Sequence, residues 1–318
     1  MSLIEIKGLT VKYRVNGSYL SAVDNVSLSI DEGVTFGLVG ESGCGKTTIG
    51  LSVLRILPSN AVIEKGEIWI NGIDILKLKE WEIRKMRGKY ISMIFQGAMN
   101  SLNPVINIGK QVAEPLIVHE GMNENDAMHV VREKLKDVGL PEFVTKMYPH
   151  ELSGGMKQRV VIAMAIINNP RILIADEPTT ALDVVTQIEI LKLLKSLSKG
   201  YGLTTIFISH DLSLVSEVAD HIGVMYGGKI CETGRKNDIL AKPYHPYTRA
   251  LLSSIITTKT KGEILGIPGE VISLIDPPSG CRFYDRCPSR KESCRNFDYM
   301  PKTMERDHTV YCILYGGR

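Results

Sequence analysis

An apolar run, Phe36-Gly37-Leu38-Val39, leads into Gly40-Glu41-Ser42-Gly43-Cys44-Gly45-Lys46-Thr47, and helical spacing follows from Lys46 to Leu57. A strand, a glycine-rich turn and a helix in that order make a loop that wraps phosphate oxygens. The glycines let the backbone approach closely, so successive N–H groups and the helix N-terminus converge on an anion. In this pattern Gly40, Ser42, Gly43, Cys44 and Gly45 form the cradle. Lys46 is expected to neutralise the β- and γ-phosphates, the Thr47 hydroxyl to ligate Mg2+, and Thr48 to donate to the α-phosphate.

Ile172-Leu173-Ile174-Ala175-Asp176-Glu177 supplies a second half: an apolar strand ending in two carboxylates. Asp176 at the strand tip is expected to hold Mg2+ through water. Glu177, one residue on, is expected to polarise the attacking water. Alone, such a strand end reads equally well as a structural turn; the phosphate loop tips the reading toward a nucleotide site.

The surrounding pattern is α/β. Leu3 to Val15 and Val26 to Ile30 alternate as strands of a partly exposed sheet. Gly66 to Ile75 reads as a hairpin whose turn, Asn71-Gly72, supplies two positive-φ residues. Amphipathic helices are expected over about Asn125 to Val138, Gly155 to Ile167, Thr186 to Ser198 and Leu212 to Ala219. Short apolar strands are expected at Arg171 to Ala175 and Thr204 to Ser209. Strands alternating with helices imply a parallel, doubly wound sheet.

At 318 residues the chain is long for one domain, and from about Thr257 glycine and proline break up any long element. A boundary there separates a domain of residues 1–256 from a tail of residues 257–318. A net charge of +3 is too small to predict nucleic-acid binding. The longest apolar stretches, such as Val160 to Ile167, fall far short of the roughly 20 residues that cross a bilayer. The N-terminus lacks a basic region followed by a long apolar core, so a cytoplasmic protein is expected, reaching any membrane through a partner.

Leu152-Ser153-Gly154-Gly155-Met156-Lys157-Gln158-Arg159 opens a helix 23 positions before Asp176. Ser153, Gly154 and Gly155 make a second anion-facing helix end, although the chain has one Mg2+ set. Two subunits that sandwich nucleotide, each completing the other's site, resolve the mismatch. With these motifs the chain from about residue 1 to 256 resembles the ATP-binding cassette (ABC) ATPases. The resemblance implies a mixed, mainly parallel core sheet, an antiparallel β subdomain and a helical subdomain at about residues 97–165. It also implies roles for further residues. Gln96 resembles the glutamine that touches Mg2+ and the attacking water and senses membrane subunits. Asp183 resembles the loop residue that contacts the opposite subunit, and His210 the histidine that hydrogen-bonds the γ-phosphate. Tyr13 resembles the adenine-stacking aromatic, with Tyr19 nearby as the alternative.

Phe95-Gln96-Gly97-Ala98-Met99-Asn100-Ser101-Leu102-Asn103-Pro104 and Tyr244-His245-Pro246-Tyr247-Thr248-Arg249-Ala250-Leu251-Leu252 narrow the resemblance to the oligopeptide/dipeptide/nickel importer ATPases. It implies an ATPase on the cytoplasmic face of the cell membrane, powering import of peptides. Its partners would be two transmembrane permease subunits, a second and distinct homologous ATPase, and an extracellular solute-binding protein. Gly97 departs from the family, where many bacterial members carry Asp, and resembles archaeal and thermophile members, some serving oligosaccharide importers. An oligosaccharide importer is therefore the alternative, and an exporter motor another. A soluble ABC ATPase acting on nucleic acid or ribosomes fits less well, because Lys46 to Ser153 carries no coiled-coil heptads and the charge is near neutral.

Cys281, Cys287, Cys294 and Cys312 fall in the last 38 residues without the Cys-x2-Cys knuckles usual for structural zinc. Four thiolates spread over loops fit a [4Fe–4S] cluster, and the importer ATPases that this tail resembles are reported to carry one. Zinc and unligated thiols are the alternatives, with His308 as a substitute ligand or an inert surface residue. The tail is expected to have little core of its own, so that ligation would fold it. Cys44, at a helix N-terminus beside Lys46, is expected either to have a lowered thiol pKa or to be filler.

Overall fold

A computed structural model describes residues 2–254, 267–305 and 307–316. Its strands are β1 (Ser2–Val15), β2 (Ser18–Asp31), β3 (Thr35–Val39), β4 (Ala61–Ile70), β5 (Ile73–Asp74), β6 (Ile91–Ile94), β7 (Ile172–Asp176), β8 (Thr204–Ser209), β9 (His221–Tyr226), β10 (Lys229–Arg235), β11 (Lys302–Glu305) and β12 (His308–Val310). Its helices are α1 (Lys46–Leu54), α2 (Glu80–Met86), α3 (Ile108–Glu120), α4 (Glu124–Asp137), α5 (Gly154–Ile166), α6 (Val184–Tyr201), α7 (Leu212–Val218), α8 (Lys236–Ala241) and α9 (Pro246–Ser253). The chain divides into two compact units, Met1–Lys77 with Ile208–Arg318, and Leu78–Phe207. Among the described residues no helix is long and apolar enough to cross a membrane.

In the first unit an antiparallel sheet runs in the order β2-β1-β4-β5. Ile4, Ile6, Leu9 and Val11 of β1 are buried, and Ile4 and Ile6 lie opposite Ile30 and Leu28 of β2. Asn71 and Gly72 take φ of 49° and 77°, the twist that a tight hairpin turn needs. A second set of strands has the order β11-β12-β10-β9-β3, with β3 parallel to β9 and the remaining pairs antiparallel. Gly37 in β3 lets α7 close on the strand, since a Cβ there would lie 2.2 Å from Val215 Cγ1. Helix α1 stops at Leu54, short of the expected Leu57, because Arg55 turns left-handed at φ 52°.

The second unit places β8, β7 and β6 side by side, with β6 parallel to β7 and Ile94 opposite Ala175. Helices α4, α5 and α6 fall where periodicity puts them, and α6 runs on to Tyr201. Asn123 caps α4 by accepting from Asp126 N at 3.0 Å. Helix α3, within the span expected to be helical, carries Pro115 in its interior, which removes a backbone donor. It is held by an Asn107 cap and by burial of Ile108, Val112, Ala113 and Leu116.

The proposed boundary at Thr257 lies outside the described residues. Beyond it the tail is irregular in outline, with short 3-10 turns at Tyr284–Arg286 and Glu292–Asn296, yet it belongs to the first unit. Strand β12 pairs with β10 through Glu232 opposite Val310. Phe283 is 1% exposed and packs at centroid distances of 5.2 Å on Tyr226 and 5.3 Å on Tyr247. The tail therefore borrows core from β9 and α9, a source of burial that its own composition does not reveal.

Candidate active site

The phosphate loop lies wholly in the first unit. Gly43 and Gly45 take φ of 79° and 105°, values open to glycine and strained for other residues. A Cβ on Gly40 would lie 2.0 Å from Met225 O, and one on Gly45 2.0 Å from Ala22 O. Helix α1 starts at Lys46 with no side chain capping it, directing its first turn at the cradle. Lys46 is buried, and its Nζ donates to Gly40 O at 2.7 Å and Glu41 O at 3.0 Å, which holds the ammonium over the loop. Ser42 is exposed and Thr47 half-buried. Thr48 is buried, and its hydroxyl lies 3.1 Å from Tyr13 Oη. Of the two aromatic candidates, Tyr13 thus stands beside α1, whereas Tyr19 is exposed. This chain's loop fits a polyphosphate in its backbone shape and its lysine.

Of the two readings open for Cys44, the structure disagrees with the lowered thiol pKa and not with filler. Its thiol is 1% exposed, and burial pushes the pKa above its ordinary value despite Lys46 Nζ at 3.8 Å. Desolvation of a thiolate outweighs one neighbouring cation here.

The second unit holds most of the other candidates. Asp176 ends β7 and is 1% exposed. Because β6 and β7 are parallel neighbours, the residues just past their C-terminal ends meet. Gln96 Nε2 donates to Glu177 Oε2 at 3.4 Å, and Thr180 Oγ1 donates to the same oxygen at 3.0 Å. Glu177 takes φ of 45°, a strained conformation for a side-chain-bearing residue. Ser153 caps α5 by accepting from Met156 N at 3.3 Å. Gly155 lets α5 approach α6, since a Cβ there would meet Thr186 Cγ2 at 2.8 Å, and Gly154 faces Leu182. Asp183 caps α6 by accepting from Thr186 N at 3.0 Å and Thr186 Oγ1 at 2.7 Å, and these bonds hold its carboxyl below the usual range. The structure thus brings Gln96 to Glu177, and Gly154 and Gly155 to the Leu182–Thr186 segment. His210 belongs to the first unit, exposed immediately after β8.

Comparison with known proteins decides the family. Residues 23–180 match the family described as ABC transporter, and residues 231–294 match the oligopeptide/dipeptide transporter, C-terminal region. The dipeptide transport ATP-binding protein DppD of Bacillus subtilis is 43% identical over 99% of this chain and 96% of that protein. The oligopeptide transport ATP-binding protein OppD of the same organism is 44% identical over 88% of this chain and 80% of that protein. The chain belongs to the ABC transporter ATP-binding proteins. It is an ATPase. Its fold is similar to that of the ATP-binding cassette MJ0796, solved as a dimer in a post-hydrolysis state with ADP and phosphate. The TM-score is 0.65 at 32% identity, covering 73% of this chain and 98% of that one.

In this ABC ATPase Cys281, Cys287, Cys294 and Cys312 line one cavity of about 10 Å3, together with His245, Phe283 and Phe297. Burial, and then the other thiols, push Cys281 up to about 12, and burial is also the main cause that takes Cys312 to about 11. Among the described residues, however, no three His, Cys, Asp or Glu side chains are gathered to hold one metal ion, so zinc finds no ready site. The same spread of the four thiols, and a space that accommodates about one water molecule, offer an iron–sulfur cluster no ready site either. His308 is buried rather than on the surface, and its Nε2 lies 2.7 Å from Glu232 Oε1.

Sequence reasoning missed the residues that grip the loop from outside. Glu41 N donates to Tyr247 Oη at 2.9 Å, and the Glu41 carboxylate meets both terminal nitrogens of Arg286. No local pattern signals a pairing across 245 positions. For Cys44 the expected outcome is chemical inertness: at pH 7 the folded protein should alkylate it far more slowly than the denatured chain does, read by peptide mass spectrometry. Equal rates would contradict the buried, protonated thiol.

Proposed function

We propose that this chain hydrolyses ATP to drive uptake of di- and oligopeptides through an ABC importer at the cytoplasmic face of the cell membrane. The observation that carries this reading is the presence in one chain of the phosphate loop and of a segment, residues 231–294, matching the C-terminal region of oligopeptide/dipeptide transporters. Membrane permeases and a solute-binding protein are its partners. In the assembly we propose, this chain pairs with a second, distinct ATPase beneath two permeases.

Roles follow the motifs. Tyr13 stacks on adenine. The backbone of Gly40 to Gly45, including that of Ser42 and Cys44, wraps the polyphosphate. Lys46 neutralises the β- and γ-phosphates and Thr48 serves the α-phosphate; this last role requires its hydroxyl to be shared with Tyr13. Thr47, Gln96 and, through water, Asp176 would each serve Mg2+, which would supply charge neutralisation at the phosphates when bound. Glu177 accepts a proton from water as the water oxygen attacks the γ-phosphorus and ADP departs. The left-handed backbone of Glu177, and its bonds from Gln96 and Thr180, support this role by fixing the carboxylate before substrate arrives. His210 hydrogen-bonds the γ-phosphate. Ser153, Gly154 and Gly155 address nucleotide held by the opposing ATPase, and Asp183 contacts that subunit.

Glu177→Gln keeps the shape and removes the base. In the intact transporter it should retain ATP binding, while turnover and peptide uptake fall about 10²-fold or more. Unchanged turnover would remove Glu177 from the chemistry.

For the tail, the resemblance to importer ATPases that carry a [4Fe–4S] cluster leads us to propose one on Cys281, Cys287, Cys294 and Cys312, which line one cavity although their side chains are not gathered as metal ligands. Protein purified without oxygen should then contain four irons and four acid-labile sulfides and be brown. A colourless, iron-free protein after anaerobic reconstitution would overturn it.

A further inference from the structure

A carboxylate inside a loop that binds a polyanion opposes that binding unless something neutralises it. Glu41 is such a carboxylate, the second residue of the Gly40–Thr47 loop, and its side chain is 21% exposed. Its partner comes from the cysteine-bearing tail. Arg286 Nη1 donates to Glu41 Oε2 at 2.6 Å and Arg286 Nη2 to Glu41 Oε1 at 2.9 Å, a two-pronged pair that fixes direction as well as charge. The same guanidinium is anchored from behind, with Nε donating to Pro268 O at 2.9 Å, Nη2 to Ile267 O at 3.1 Å and Nη1 to Tyr226 Oη at 3.3 Å. All three nitrogens are committed, and the side chain is 6% exposed.

Glu41 is held at its main chain as well. Its N–H donates to Tyr247 Oη at 2.9 Å, and its carbonyl accepts from Lys46 Nζ at 3.0 Å. One residue of the loop therefore joins the phosphate-binding lysine to the tail. A second arginine of the same short segment reinforces the contact. Arg282 donates to Gly227 O and to Asp24, and the next residue, Gly228, donates from its N–H to Cys44 O at 3.0 Å. Tyr226, Tyr247 and Phe283 pack together, with the two tyrosine rings 4.7 Å apart and the Arg286 guanidinium 5.7 Å from the centre of the Tyr226 ring.

We propose that Arg286 is a positioning residue for the nucleotide site: acting through Glu41, it holds the phosphate loop in shape and cancels the loop's own carboxylate, so that the tail sets nucleotide affinity without touching nucleotide. The proposal rests on reading residues 40–47 as the nucleotide phosphate loop.

The test uses the intact transporter and separates a loop effect from general damage. Arg286→Met should raise the KM for ATP and the dissociation constant of a fluorescent ATP analogue about tenfold or more, the scale of one charge-assisted hydrogen bond. Turnover at saturating ATP should change much less. Arg286→Lys, which keeps the charge and loses the fork, should fall between wild type and Arg286→Met. Removing the opposing charge as well, in Glu41→Gln/Arg286→Met, should recover the part of the affinity lost to the uncancelled carboxylate but not the part lost with the fork, a recovery which a merely structural arginine would not allow. Wild-type affinity in Arg286→Met, or no recovery in the double variant, overturns the proposal. Lys46→Ala is the control: if it leaves nucleotide binding intact, the reading of the loop itself fails. If it abolishes binding while Arg286→Met does not weaken it, only the role of Arg286 falls.

Discussion

Main-chain crowding around residues 40–45 fixes what the first unit can be, because a Cβ on Gly40 would lie 2.0 Å from Met225 O and one on Gly45 2.0 Å from Ala22 O. The loop keeps its anion-facing shape while Ala22 of β2 and Met225 of β9 stay closed on it. That closure in turn draws on the parallel register of β3 with β9, where Leu38 lies opposite Gly223. The aromatic cluster of Tyr226, Tyr247 and Phe283 continues it outward. The phosphate loop, α9 and the tail thus share one piece of packing, and this is why the tail falls within the first unit.

In the second unit the ordering principle is strand adjacency. Two parallel strands that end side by side deliver whatever follows them to one place, which is how Gln96 and Glu177, 81 positions apart, come to share a hydrogen bond. The left-handed backbone at Glu177 is a local cost that the neighbouring structure sustains, a pattern common where a side chain must be aimed before its substrate arrives. Gly155 serves a different need, close approach of α5 to α6, and so carries a packing reason beside its motif reason.

What was legible in the sequence was what local chemistry dictates. The glycines and lysine of the loop, the Asn71-Gly72 turn, the apolar strands and the amphipathic α4 each follow from spacing and from φ preference. Helix α3 was implied only through the resemblance and not from its own spacing, since burial of its apolar face around Pro115 is supplied by the fold. Of the two readings open for Cys44, the lowered pKa fails in sign, because a neighbouring lysine is visible in sequence whereas complete burial is not. His308 misled likewise, since nothing nearby announces that it faces Glu232 across 76 positions. The Arg286–Glu41 pair is the extreme case, joining a loop near one end of the chain to a segment near the other.

The central claim is that this ABC ATPase spends ATP on peptide uptake. The most direct test is ATP hydrolysis by the intact complex, purified through a tag on this chain and placed in lipid vesicles with its solute receptor. The account predicts that turnover rises when the receptor is loaded with peptides and stays at its resting rate with oligosaccharides. Turnover indifferent to peptides, or raised by oligosaccharides alone, would contradict it.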